Sequence, residues 1–182
     1  MSSLEERFID RLKQLAEGDE RGALASLRRG LGQPPGTVAE MYRYVEPFLG
    51  GMESGARYKE SAFYLVAALF AFHPKSANEG NMGTHLAKTR TETGADALER
   101  RFTALLAAHP DDLSEYLRQA VSFLKSKEIP VNWNQLLRDL QNWDKRDDPK
   151  YSVQKRWARE FWRKNQPTDS TDSTDTSNEK GE

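Results

Sequence analysis

The chain has 182 residues, of which 37% are hydrophobic and 30% charged, with a net charge of -1 and no cysteine. Disulfides and thiolate chemistry are therefore excluded, and a cytoplasmic location is unopposed. No stretch approaches the roughly 18 uncharged apolar residues of a membrane span, and MSSLEERFIDR lacks the apolar core of a signal peptide.

In chain order, apolar residues recur at helical spacing, and strand alternation is almost absent. Ser3 with Glu6 forms a capping box that opens a helix carrying Leu4, Phe8, Leu12 and Leu15; Gly18 stops it. Asp19 is placed to cap a second helix through Leu24 and Leu27 to Gly30. After the break at Pro34, Pro35 and Gly36, Thr37 with Glu40 predicts another capping box. That helix carries Met41, Tyr42 and Val45 and stops near Pro47. Glycines 50, 51 and 55 mark a loop before the most apolar helix, from about Ala56 to Phe72, which Pro74 ends.

Residues 75 to 94 read as loop-rich, with one short turn around Leu86. Four amphipathic helices follow, at about Ala95–His109, Asp111–Lys127, Asn132–Asp144 and Ser152–Lys164, punctuated by Pro110, Pro130 and Pro149. The last has Val153, Trp157, Phe161 and Trp162 as its apolar set. The fold class is all-α, with two small helical subdomains, and short connections make the second a roughly four-helix antiparallel bundle. The predicted boundaries are 1–94, 95–166 and a polar tail at 167–182. The tail repeats Thr-Asp-Ser and has no large apolar residue, so its composition predicts disorder.

The net charge hides an asymmetry. Residues 167–182 hold five acids and one base; removing them from 28 acids and 27 bases leaves 23 acids and 26 bases. The body is near +3, which permits a basic face without requiring one.

Catalytic signatures are lacking. His73, His85 and His109 have no partner at metal-ligand spacing, and His73 and His109 each precede a proline at a helix end, where imidazole satisfies terminal carbonyls. No GxSxG, GxGxxG or P-loop pattern occurs, so no cofactor is implied. The Asp111-Asp112 and Asp147-Asp148 pairs read as helix-start charges rather than an acid/base pair.

The bases recur in clusters: Arg28-Arg29, Arg57 with Lys59, Lys75, Lys88 with Arg90, Arg100-Arg101, Arg118 with Lys125, Arg138, Lys145-Arg146, and Lys155 through Lys164. Arginine suits phosphate because its planar fork donates two parallel hydrogen bonds; lysine supplies a point charge. Each cluster has an ordinary structural reading too: a helix C-terminus, surface pairing, or the wet face of an amphipathic helix. Tyr42, Tyr44 and Tyr58 offer stacking surfaces, but at helical spacing they read first as core.

ALASLRRGLG followed by MYRYVEPFL resembles the N-terminal signature of the CasB family, the small subunits of the type I-E Cascade complex. NMGTHLAK, ALERRFTALLAA, DDLSEYLRQAVSFLKS and VNWNQLLRDLQNWDKR continue the resemblance in order, so that it covers roughly Leu4 to Trp162. It implies a helical, non-enzymatic subunit that sits as a pair beside the guide-RNA-holding backbone subunits and contacts the large subunit. It also implies a basic groove that holds the displaced non-target strand of an R-loop and helps position the target strand. Carried over by segment, that role falls to Arg29, Arg101, Arg118, Lys145 and Arg146, with Arg57 and Lys75 in less regular segments. Gln119 stands where the family can have a second base, and the acidic tail has no placed counterpart. Two other readings compete: a free helical transcription regulator binding a duplex sequence, and a protein-only helical adaptor.

Overall fold

The computed structural model describes residues 2–50, 57–91, 94–148, 150 and 152–163, with residues 57 and 58 described by their backbone alone. Helix α1 spans Leu4–Glu17, α2 Arg21–Arg28, and a 3-10 turn at Ala39–Met41 leads into α3, Tyr42–Leu49. Then come α4 (Arg57–Phe72), α5 (Met82–Ala87), α6 (Ala95–Ala107), α7 (Leu113–Ser126), α8 (Trp133–Leu140) and α9 (Val153–Trp162). The chain is all-helical; among the described residues the sole β feature is an isolated parallel bridge between Ser76 and Val131.

The helix ends show which local signals hold. Ser3 and Glu6 form the reciprocal capping box, at 3.2 Å and 3.0 Å. Gly18 is the C-cap of α1, but the left-handed residue is Asp19 (φ 52°), and the Glu20 amide donates to Leu15 O at 3.0 Å. Asp19 thus completes the end of α1 by a Schellman-type bond rather than capping α2. Its carboxylate accepts from Arg21 Nε, and Glu20 is the N-cap of α2. Nor does the expected box at Thr37 form: its hydroxyl donates back to Pro34 O at 2.7 Å, closing the turn, while Glu40 pairs with Arg29. Pro47 lies inside α3, which runs on to Leu49. Residues 75–94 contain a full helix, α5, with a capping box between Asn81 and Thr84.

After a polar first turn, helix α4 is apolar on every face from Ala62 to Phe72, as a helix surrounded by others must be. Phe63, Val66, Ala67, Leu69 and Phe70 are fully buried, and α1, α2, α3, α7 and α8 pack about it. Its alanines at 62, 67, 68 and 71 let these neighbours approach closely. A second packing centre joins α5, α6, α8 and α9. Phe102 stacks on Phe161 at 4.0 Å, Trp143 meets Trp157 at 5.0 Å, and the backbone of α5 at Gly83 lies directly on the Trp157 carbonyl. Asp139, buried on α8, accepts from Trp157 Nε1 (2.7 Å), Arg156 (2.7 Å) and Gln135 (2.9 Å).

The tightest packing of α9 is with α5, and that of α8 with α4 and α1, so one hydrophobic core runs across residue 94. The segment leaving α4 is also zipped to the α7–α8 connection. Val131 N donates to Lys75 O, Ala77 N to Val131 O, and Trp133 Nε1 to Lys75 O. Both buried histidines serve this seam. His73 Nε2 donates to Ile129 O at 2.7 Å, a carbonyl of another connection rather than of its own helix. His85 Nε2 accepts the Asn132 amide at 3.0 Å, and burial, with Lys88 adding, lowers its pKa to about 4.

Candidate nucleic-acid interface

Helices α6 and α7 pack side by side and leave a groove of about 630 Å³ along their outer edge. Its floor is apolar: Phe72 from the end of α4, Leu86 from α5, Leu98, Phe102 and Leu105 from α6, and Phe123 from α7. The amphipathic period creates this arrangement. Positions 98, 102 and 105 face inward on α6, which turns Arg101 outward to the rim, and Leu117 and Val121 do the same for Arg118 on α7. Lys125 stands over the Phe72 ring at 3.9 Å, a further cation at this edge. Leu31 closes another side, two residues beyond Arg29.

The electrostatics of the two rim arginines differ. Arg101 is exposed and makes no ion pair among the described residues. Arg118 is held in a two-bond fork by Glu115, at 3.1 Å and 3.0 Å, and Gln119 donates to the same carboxylate. These donors, Arg118 first and Gln119 next, hold the Glu115 carboxyl below its ordinary pKa, and Glu115 in turn raises that of Arg118. Arg118 is therefore presented in a fixed orientation with part of its charge already compensated.

The other sequence-predicted bases lie elsewhere. Arg29, at the C-cap of α2, pairs with Glu40 at 2.6 Å, and this bond helps hold the Glu40 carboxyl below its ordinary pKa, after Glu40's own backbone amide. Lys75 lies on the zipped seam and pairs with Glu128 at 3.0 Å. Lys145 and Arg146 come together after α8: Lys145 donates to Asn142 Oδ1, and Arg146 donates to Ala108 O at 2.9 Å, where α6 ends. Arg57 opens α4, and its side chain lies outside the described residues. The structure thus brings Arg101 and Arg118 to one groove, while Lys75, Lys145 and Arg146 do not line it.

The family model for CRISPR-associated protein Cse2 matches residues 23–162, which include the groove and every base just described. The chain belongs to the Cse2 family. CRISPR-associated protein Cse2 of Thermus thermophilus is 39% identical over 161 residues, covering 86% of this chain and 89% of that protein. The crystal structure of CasB from Thermus thermophilus matches with a TM-score of 0.75 at 35% identity, over 88% of this chain and 99% of the other. A chain from a CRISPR RNA-guided surveillance complex matches with a TM-score of 0.72 at 28% identity, over 87% of this chain and 91% of its own length. These Cse2-family likenesses extend over the whole helical body rather than one motif.

Some features of this Cse2-family chain were beyond sequence reasoning. Glu115 as the partner of Arg118 was available from i,i+3 spacing; the pairing of Arg29 with Glu40 was not, because it crosses a turn. Among the described residues no group of three or more His, Asp or Glu could hold a metal ion, and no helix is long and apolar enough to cross a membrane. The predicted tail lies outside the described residues.

Proposed function

We propose that this chain is the non-catalytic small subunit of a type I-E CRISPR RNA-guided DNA surveillance complex. In this role it stabilises the R-loop by holding the displaced non-target strand and helps position the target strand. The observation that carries the reading is the Cse2-family match over residues 23–162, joined by likeness to a chain of a surveillance complex. Its partners would be the backbone subunits that hold the guide RNA, the large subunit, and a second copy of itself.

The physical logic supports weak, assembly-dependent binding. In RNA-guided recognition the guide–target duplex is about as stable as the DNA duplex it replaces, so modest contacts to the backbone tip the exchange. A body near +3 binds free DNA weakly and with marked salt dependence. Strand holding needs a positive track and aromatic surface rather than base-edge readout. The groove supplies Arg101 and Arg118 over an aromatic floor, with Arg29 at the neighbouring turn.

The test is the double variant Arg29→Ala, Arg101→Ala within the assembled complex. Both side chains are exposed, so assembly is expected to proceed while the R-loop lifetime shortens. An unchanged lifetime in a fully assembled complex removes both residues from the site. Purification of the tagged chain from its host tests the assembly itself: recovery of the chain alone, tight on one duplex sequence, contradicts it.

A further inference from the structure

The outer face of α9 breaks the local rules for a stable surface helix. Lys155, Arg156, Arg159, Trp162 and Arg163 fall within about a third of the helix circumference at 100° per residue, and no acid shares that arc. Like charges four residues apart, Lys155 with Arg159 and Arg159 with Arg163, destabilise a helix. Lys155 and Arg156 also sit in the first turn after the Ser152 cap, where the macrodipole favours anions, and no acid is present there. Arg156 and Arg163 find partners, in Asp139 at 2.7 Å and Glu160 at 3.0 Å. Lys155 and Arg159 are exposed and have no ion-pair partner among the described residues.

The aromatic residue on this face is equally out of place. Trp162 is 42% exposed, one of two large hydrophobic residues so exposed among those described. Its orientation is nevertheless fixed. Nε1 donates to Glu99 at 3.0 Å, the ring packs on Phe102 at 5.4 Å, and Arg90 donates to Phe161 O, anchoring this end of α9. A rigid, half-open indole beside a row of cations matches what a single strand needs: a surface for a base and donors for its phosphates. Successive cations at four-residue spacing rise about 6 Å along the axis, on the scale of one backbone repeat of an extended strand.

We propose that the outer face of α9 is a second single-stranded nucleic-acid site, with Lys155 and Arg159 as phosphate contacts and Trp162 as the stacking platform. The proposal rests on the nucleic-acid reading above but not on the α6–α7 groove. Charge complementarity decides the class of partner, and the exposed indole favours a strand with accessible bases over an acidic protein surface.

The experiment titrates the full chain with a 20-nucleotide oligothymidylate at low salt, reading tryptophan emission and anisotropy together. Trp133, Trp143 and Trp157 are buried, so quenching by a stacked base reports on Trp162. Binding is expected to quench emission. Trp162→Leu should abolish the quenching and weaken binding roughly fivefold or more. Lys155→Ser with Arg159→Ser should weaken binding and lower the salt slope by about 1.4, or about 0.7 for each lost contact. Both positions are exposed and outside the core, and an unchanged circular dichroism melt confirms the fold.

Binding without quenching, or unchanged affinity in both variants, overturns the proposal. So does polyglutamate that competes as well as the oligonucleotide at equal charge. Arg101→Ala with Arg118→Ala in the same titration separates the two sites. If only that pair weakens binding, the groove stands and the α9 site falls; if only the α9 variants do, the reverse holds. If neither pair does, both fall.

Discussion

Replacing Gly83 with alanine tests the packing of α5 on α9. A methyl at this position would overlap the Trp157 carbonyl oxygen and stand 2.8 Å from its carbon and 3.0 Å from its Cα. Ordinary contacts begin near 3.4 Å, so the helices must separate by more than half an ångström for the carbon alone, and further for the oxygen. The obstacle is backbone, which has no rotamer to change. Overpacking of this kind costs about 1–3 kcal/mol and sometimes more. Separation also loosens Trp157 and Phe161, both fully buried. Against this stands a helix-propensity gain of about 1 kcal/mol from glycine to alanine. Because the obstacle is backbone the cost falls at the upper end of that range, and the net expectation is a loss of about 2 kcal/mol, or a fall in Tm of roughly 4–8 °C for a chain of this size. Gly22 in α2 is the control, since a methyl there meets nothing within 4 Å. Gly22→Ala should leave Tm unchanged or raise it slightly. The assay is thermal unfolding followed by circular dichroism on both variants. A Gly83→Ala protein that melts with or above Gly22→Ala refutes the close approach of α5 to α9.

Acid should weaken the zipped seam through His85. Its folded pKa, about 4, lies below the ordinary 6.5, so the unfolded chain binds the extra proton between those values. The stability is fully present above about pH 6.5 and is lost as pH falls towards 4, by about 2 kcal/mol at pH 5. Burial lowers the His73 pKa in the same direction. Urea midpoints at pH 7.5 and pH 5 should converge in His85→Gln relative to wild type; an equal pH dependence in both would show that His85 does not carry it. Asp139→Asn leaves one acceptor oxygen for donors on Trp157, Arg156 and Gln135, and should cost about 1–3 kcal/mol. A double-mutant cycle with Trp157→Phe should be clearly sub-additive. Simple additivity in urea unfolding would mean that the buried Trp157–Asp139 bond is not the main loss.

The sequence by itself determined the helical class, most helix positions and the absence of thiol chemistry. These follow from local periodicity, the Ser3–Glu6 box and residue inventory, each of which acts within a turn or two of chain. It also carried the family resemblance, because that lies in ordered segments along the chain. Tertiary structure decided what depends on contacts distant in sequence. Thr37 and Asp19 have N-cap chemistry, yet each was taken by a competing turn whose bonds were already closer to hand. Helix α5 was obscured by Gly83 within it and Gly80 just before it, although Gly83 is there because α9 presses on it. Trp162 reads as core by spacing alone, but α6 covers only part of its ring. The bases show the same division. Their clustering is legible in one dimension, whereas pairing and convergence are not: Arg29 meets Glu40 across a turn, and Arg101 joins Arg118 from a separate helix. Charge acts through space, and only the packing of α6 on α7 sets that distance.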